Sequence, residues 1–176
     1  MIDADLRYPQ LHTALRAPIA PGLTDYLRGE ADEMAAIQYG NNENLCFMPG
    51  GSQVANPSEL LSNGRLKFLL DRVTPIFDWV IVDSSPCLLV ADASMVADFS
   101  TGVLLVVRVG STSVDAAQKV CKQLRRKNII GVVLNGAEQT DLYDSHYQAY
   151  GYGDPTDAPV PRLRPHVSSS GSRDRR

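Results

Sequence analysis

The stretch Phe77–Asp92 reads FDWVIVDSSPCLLVAD and limits the possible architecture of this chain more than any other. Four apolar residues, Trp79-Val80-Ile81-Val82, run straight into Asp83, and Ser84-Ser85-Pro86 follow at once. A β-branched apolar run that stops abruptly on polar residues predicts a buried strand emptying into a loop. Open α/β sheets bind ligands at the C-terminal mouths of their strands, which is where Asp83 falls. A carboxylate there is a hard oxygen ligand of the kind Mg²⁺ takes. The same residue also serves as a plain loop cap, and the stretch alone leaves both readings open.

Three further runs predict strands. Leu45-Cys46-Phe47-Met48 is stopped by Pro49-Gly50-Gly51, Gly102–Val107 ends in Arg108-Val109-Gly110, and Ile129–Leu134 ends in Asn135-Gly136. Their continuous apolar character predicts a parallel sheet covered on both faces. Helical signals lie between them. Asn56 or Ser58 is positioned to cap a helix holding Glu59. Leu66, Leu69, Leu70 and Val73 recur at helical spacing with charged residues between them. Ala93–Ala97 predicts a short helix. Ser111, Thr112 or Ser113 starts another, with Val114, Ala117, Val120, Cys121 and Leu124 on its apolar line. Earlier in the chain, Leu11–Leu15 predicts a helical turn, Thr24 caps a helix opening at Asp25, and Glu30–Ile37 predicts a third. Alternating helices and short strands from residue 45 to residue 135 imply βα units and an α/β fold.

The chain opens Met1-Ile2-Asp3-Ala4-Asp5-Leu6-Arg7, which reads as the exit of a strand whose first half is absent. Asp3 and Asp5 point the same way if the backbone is extended, and a bend after Asp3 separates their roles. A solvated acidic terminus is the alternative. Asn135 stands at another strand exit, suited either to recognising a base or to making the turn with Gly136.

Composition narrows the partners. The 176 residues carry a formal net charge of -3, which gives no basic bias toward nucleic acid. Cys46, Cys87 and Cys121 form no close pair or metal-like spacing and read as buried thiols of a reducing compartment. No apolar run reaches membrane-spanning length and no leader pattern opens the chain, so a cytosolic location is the default expectation. Tyr143, Tyr147, Tyr150 and Tyr152 fall within ten residues, suited to surface packing or to accepting phosphate. Pro155–Arg176, rich in Pro, Ser and Arg, is expected to be disordered. The expected division is 1–140, a folded domain; 141–153, a tyrosine-rich tail; and 154–176, a disordered C-terminus.

IDADLRYP at Ile2–Pro9, NPSELLS at Asn56–Ser62 and VIVDSSPCLLVADA at Val80–Ala93 resemble the cytoplasmic catalytic domain of the bacterial tyrosine kinases. LLVVRVG at Leu104–Gly110, GVVLNG at Gly131–Gly136 and the tyrosine cluster continue the pattern, so the resemblance covers roughly residues 1 to 152. It implies a P-loop NTPase-like parallel sheet with flanking helices. It also implies ATP and Mg²⁺ as cofactors, tyrosine phosphorylation, and a role in regulating exopolysaccharide synthesis and export. By this resemblance Asp3 assists Mg²⁺ and activates the tyrosine hydroxyl, and Asp5 supports metal or substrate geometry. Asp83 is the Walker B acid holding Mg²⁺, and Asn135 contacts adenine. Arg7 and Glu59 serve substrate placement or subunit contacts. Tyr143, Tyr147, Tyr150 and Tyr152 are the acceptors. The implied partners are further copies of the full-length chain, protein tyrosine substrates, and a fused or separate membrane adaptor of a polysaccharide export system. That adaptor would hold the protein at the cytoplasmic side of the inner membrane.

Two departures qualify this picture. Ser84-Ser85-Pro86 stands where the family usually has Thr-Pro-Pro, a change expected to be tolerated. No G-x-x-x-x-G-K-[ST] sequence occurs in the 176 residues. The family places that loop before the segment that opens this chain. The expectation is therefore an N-terminally truncated sheet, unstable and inactive as a kinase by itself. A non-catalytic regulatory module of an export complex is the alternative reading, and a ParA/MinD-like ATPase is a further one.

Overall fold

Strand β1, Ile2–Asp3, pairs in parallel with β4, Val82–Asp83, in the register Ile2 to Val82 and Asp3 to Asp83. This computed structural model describes residues 1–40 and 42–137. Met48 bridges the other edge of β1 in parallel, with Asp3 N donating to Met48 O at 3.0 Å. The first acidic strand end is therefore flanked on both sides. Met48 follows β3, Cys46–Phe47, which pairs antiparallel with β2, Gln38–Tyr39. The sequence pattern did not anticipate β2, because two residues are too few to show a period. A separate parallel pair is formed by β5, Val103–Arg108, and β6, Ile129–Asn135.

Helices surround these strands. They are α1 (Leu11–Ala14), α2 (Leu23–Arg28), α3 (Glu33–Ala36), α4 (Pro57–Ser62), α5 (Arg65–Val73), α6 (Asp92–Asp98) and α7 (Val114–Gln123). The spacing in α5 works as expected: Leu66, Leu69, Leu70 and Val73 are all buried. They join Ile2, Leu27, Met48 and Leu61 in the larger core cluster. A smaller cluster of Ala97, Leu105, Val120 and Leu124 lies under β5, with Val103, Val107 and Ile129 packed against it.

Several local expectations are corrected. Thr24 lies inside α2 and does not cap it; Gly22 is the N-cap, and its N–H donates to Asp25 Oδ2 at 2.7 Å. Thr24 is buried, and its hydroxyl has no partner among the described residues. The helix expected over Glu30–Ile37 is only the four-residue α3, capped by Asp32, whose carboxylate accepts from Ala35 N. Neither Asn56 nor Ser58 caps α4 through its side chain; Pro57 occupies the first turn, where its missing N–H costs nothing. Ser113, the last of three candidates, caps α7. In that helix Val120 faces inward and Leu124 follows at the C-cap, so the neighbouring Cys121 and the first-turn Val114 are exposed. Cys46 and Cys87 are only half-buried.

The largest correction concerns coverage of the sheet. In the Trp79–Val82 run, Val80 and Val82 face the larger core, while Trp79 is 81% exposed and Ile81 is also exposed. Only Val82 and Asp83 enter the ladder. The β5–β6 pair behaves largely likewise: Leu105 is buried, whereas Leu104, Val106, Ile130, Val132 and Leu134 are exposed, as is Val133 near the end of β6. Successive strand residues alternate faces. A run apolar at every position is therefore compatible with cover on one face only, which is what these strands have.

Candidate functional site

The site is built where three strand ends meet. Asp3 leaves β1, Asp83 leaves β4, and Met48-Pro49-Gly50 leaves the bridge beside β1. The Asp3–Asp83 register places the two carboxylates on neighbouring parallel strands at the same level.

The backbone after β1 bends at once. Asp3 Oδ1 accepts from Asp5 N at 3.2 Å, and Asp3 Oδ2 accepts from Leu11 N at 2.9 Å. Asp5 repeats the device, with Oδ1 accepting from Arg7 N at 3.3 Å and Tyr8 N at 3.2 Å. Aspartates that bond their own backbone two or three residues on form turns of this kind. The bend gives Asp3 and Asp5 different surroundings. Asp3 is 0% exposed. Burial pushes its carboxyl above the ordinary carboxylate range, the Asp83 charge adds to the rise, and the backbone donors Leu11 and Asp5 oppose it. Asp83, open to solvent on one side, is raised by partial burial first and by the Asp5 charge, with Ser84 N opposing.

Room for this arrangement comes from Gly50 and Gly51. A Cβ on Gly50 would stand 2.5 Å from Pro9 Cβ and 3.7 Å from Asp3 Cγ, so the absent side chain lets the loop close over the acid. Gly51 has φ +86 and abuts Thr24 and Asp25, which excludes any other residue without strain.

A second polar network frames the first. Arg7 Nε donates to Asp92 Oδ2 at 2.8 Å, and Arg7 also donates to Ser58 Oγ at 3.0 Å. Ser58 Oγ in turn donates to Asp92 Oδ1. Asp92, the first residue of α6, is 1% exposed. Across the strand pair, Ser85 Oγ donates to Asp5 Oδ1 at 2.7 Å.

The expected site residues divide accordingly. Asp3, Asp5 and Asp83 are brought together. Asn135 ends β6, is exposed, and makes no side-chain hydrogen bond to these carboxylates among the described residues. Arg7 is engaged by Asp92 and Ser58, and Glu59 is exposed, accepting from Asn56 Nδ2 at 3.3 Å. Tyr143, Tyr147, Tyr150 and Tyr152 lie outside the described residues, as does the segment expected to be disordered. Sequence reasoning missed Ser58, Ser85, Asp92 and Gly50. Their motifs were visible, but the partners lie 34 to 85 positions away for the polar three.

The donor set fits Mg²⁺. Asp3 is fully buried and Asp83 partly so, each is raised by burial and by a neighbouring acid, and neither has an ion-pair partner among the described residues. No group of three His, Cys, Asp or Glu residues converges to hold a metal unaided among the described residues. Mg²⁺ is commonly held by one or two carboxylates together with water and substrate phosphates.

Parallel strand pairs flanked by helices, one of them ending in a pair of acids at its C-terminal mouth, define an α/β protein of the P-loop NTPase-like class. Its solved neighbours agree. The kinase domain of Escherichia coli tyrosine kinase Etk superposes with TM-score 0.75 at 34% identity, covering 78% of this chain and 55% of that one. The cell division ATPase MinD of Pyrococcus furiosus superposes with TM-score 0.64 at 25% identity, covering 80% and 60%. No family model matches the sequence. Tyrosine-protein kinase YwqD of Bacillus subtilis is 34% identical over 154 residues, covering 86% of this chain and 63% of its own length. Tyrosine-protein kinase CpsD of Streptococcus agalactiae is 31% identical over 157 residues, covering 88% and 69%. The chain belongs to the bacterial tyrosine-protein kinase family and spans about two thirds of the length of these two relatives.

Proposed function

We propose that this chain contributes the carboxylate half of an ATP-dependent protein-tyrosine kinase that transfers the γ-phosphoryl group of ATP to tyrosine. The observation that carries the reading is the Asp3–Asp83 pairing, a buried and a partly open acid in register without a cation partner among the described residues. Family membership supplies the chemistry they serve.

Phosphoryl transfer depends on positioning and on stabilising charge at the phosphate oxygens. Asp83 would hold Mg²⁺ directly or through water, and Asp3 would share it. Bound Mg²⁺ would neutralise charge on the phosphate oxygens. Asp3, with its raised carboxyl pKa, is suited to accept the proton of an incoming tyrosine hydroxyl. Asp5 shapes the turn between them, and Asn135 would contact the base. The lysine that grips the phosphates has no counterpart in a Walker A motif of these 176 residues, so the activity requires it from elsewhere. The acceptors would include Tyr143, Tyr147, Tyr150 and Tyr152 on a neighbouring copy, in control of exopolysaccharide synthesis and export. Attachment to the inner membrane from the cytoplasm would run through an adaptor, fused or separate, or through a preceding N-terminal region; no described helix is long and apolar enough to cross a membrane.

The test is the protein expressed from its complete gene, incubated with ATP and Mg²⁺. Phosphotyrosine mapped to the tail, lost in Asp3→Asn and Asp83→Asn, is the expected result. No phosphotyrosine in the wild type would sink the reading and favour a non-catalytic regulatory module.

A further inference from the structure

Asp5 Oδ1 accepts three hydrogen bonds. Two come from its own turn, from Arg7 N and Tyr8 N. The shortest, 2.7 Å, comes from the Ser85 hydroxyl on the loop after β4, 80 positions away. Ser85 is 2% exposed and stands two residues past Asp83. Bonds between a hydroxyl and a carboxylate are about twice as strong as neutral ones. With Oδ1 satisfied three times over, Asp5 Oδ2 has no partner among the described residues.

We infer that Ser85 is a positioning residue. Its hydroxyl ties the β1 and β4 loops together, fixes the orientation of the Asp5 carboxylate, and so preorganises the Asp3–Asp83 pair for a divalent cation. The inference rests on the metal–nucleotide reading of the site. Side chains that hold the carboxylates around a metal typically change its affinity about 10- to 100-fold when removed. Ser85 acts through Asp5, one step from the ion, so the lower end of that range applies.

Mn²⁺ binding to the protein from its complete gene, followed by the electron paramagnetic resonance of free Mn²⁺, tests this. Ser85→Ala is expected to weaken Mn²⁺ binding about tenfold with little change in melting temperature. Ser85→Cys keeps the shape with a somewhat larger atom and a much weaker donor, and reads the same effect should the alanine variant fold poorly. Ser85→Thr, which keeps the hydroxyl, restores most of the affinity. Alanine and cysteine variants that bind Mn²⁺ like the wild type would overturn the inference, as would a threonine variant no better than alanine. A wild type that binds no more Mn²⁺ than Asp83→Asn would instead bring down the metal reading itself, and this inference with it.

Discussion

Arg7 Nε and Asp92 Oδ2 meet at 2.8 Å, joining the loop after the first strand to the first residue of α6. Asp92 is buried and also accepts from Ser58, whereas Arg7 is partly open to solvent. Removing one member of such a pair strands the other without compensation. Arg7→Ala is therefore expected to be less stable than the double variant Arg7→Ala/Asp92→Ala. Urea midpoints of the two single variants and the double variant would decide it, and strictly additive effects would refute the coupling.

Ser58 gives a milder version of the same test. Its hydroxyl links Arg7 to Asp92 and is the only polar atom of its side chain. Ser58→Ala is expected to cost about 1.5–3 kcal/mol, the value of a hydrogen bond to a charged group. A midpoint unchanged within error would mean that the direct Arg7–Asp92 contact holds the network without the hydroxyl.

The acids at the strand ends oppose folding at neutral pH. Asp3 and Asp83 both titrate above the ordinary carboxylate range, burial being the main cause for each. A carboxyl raised in the folded state favours folding while protonated. Its contribution is fully present below the unfolded value of about 3.9 and is lost as the pH rises through the folded value. Asp83→Asn removes one such charge and keeps an acceptor for Ser84 N. Its melting temperature should equal that of the wild type near pH 3.5 and match or exceed it at pH 7 in EDTA. A variant clearly less stable than the wild type at pH 7 would contradict the sign.

Gly51 combines a left-handed backbone with close neighbours. A Cβ there would stand 2.2 Å from Thr24 Oγ1, at φ +86. Strain and overpacking add, so Gly51→Ala should cost roughly 2 kcal/mol or more. Calorimetry would show it as a lowered melting temperature.

The one-sided cover of the strands predicts unequal core costs. Leu66 is fully buried in the larger cluster, and Leu66→Ala should lose about 2–5 kcal/mol. Leu104 lies on the open face of β5, and Leu104→Ala should change stability by no more than about 0.5 kcal/mol. Comparable losses at the two positions would show that the open face is covered in solution.

Much of this was legible in the chain. The periodicity of α5, the strand exits at Asp3 and Asp83, and the Pro49-Gly50-Gly51 stop are local signals, and the structure keeps them. Which face of an all-apolar strand is covered is not a local property, so Trp79 and Ile81 were misread as buried. The same limit hid Ser85 and Asp92. Their polarity was visible, but their partners are set by tertiary contacts with the loop after β1. Thr24 was misplaced as a cap for a different reason, because Gly22 with Asp25 supplies the capping geometry two residues earlier.

The two hydrophobic clusters imply two levels of protection against amide exchange. The carboxylate strands rest on the larger cluster, which spans Ile2 to Val96, while β5 and β6 rest on four buried residues beginning at Ala97. Segments with fewer buried contacts open at lower free energy than the whole. The β5–β6 ladder should thus exchange through a partial opening that leaves the Asp3–Met48 and Ala4–Asp83 hydrogen bonds closed. A cation held between Asp3 and Asp83 would slow exchange at Asp3 and Ala4 and leave the β5–β6 amides at their original rate.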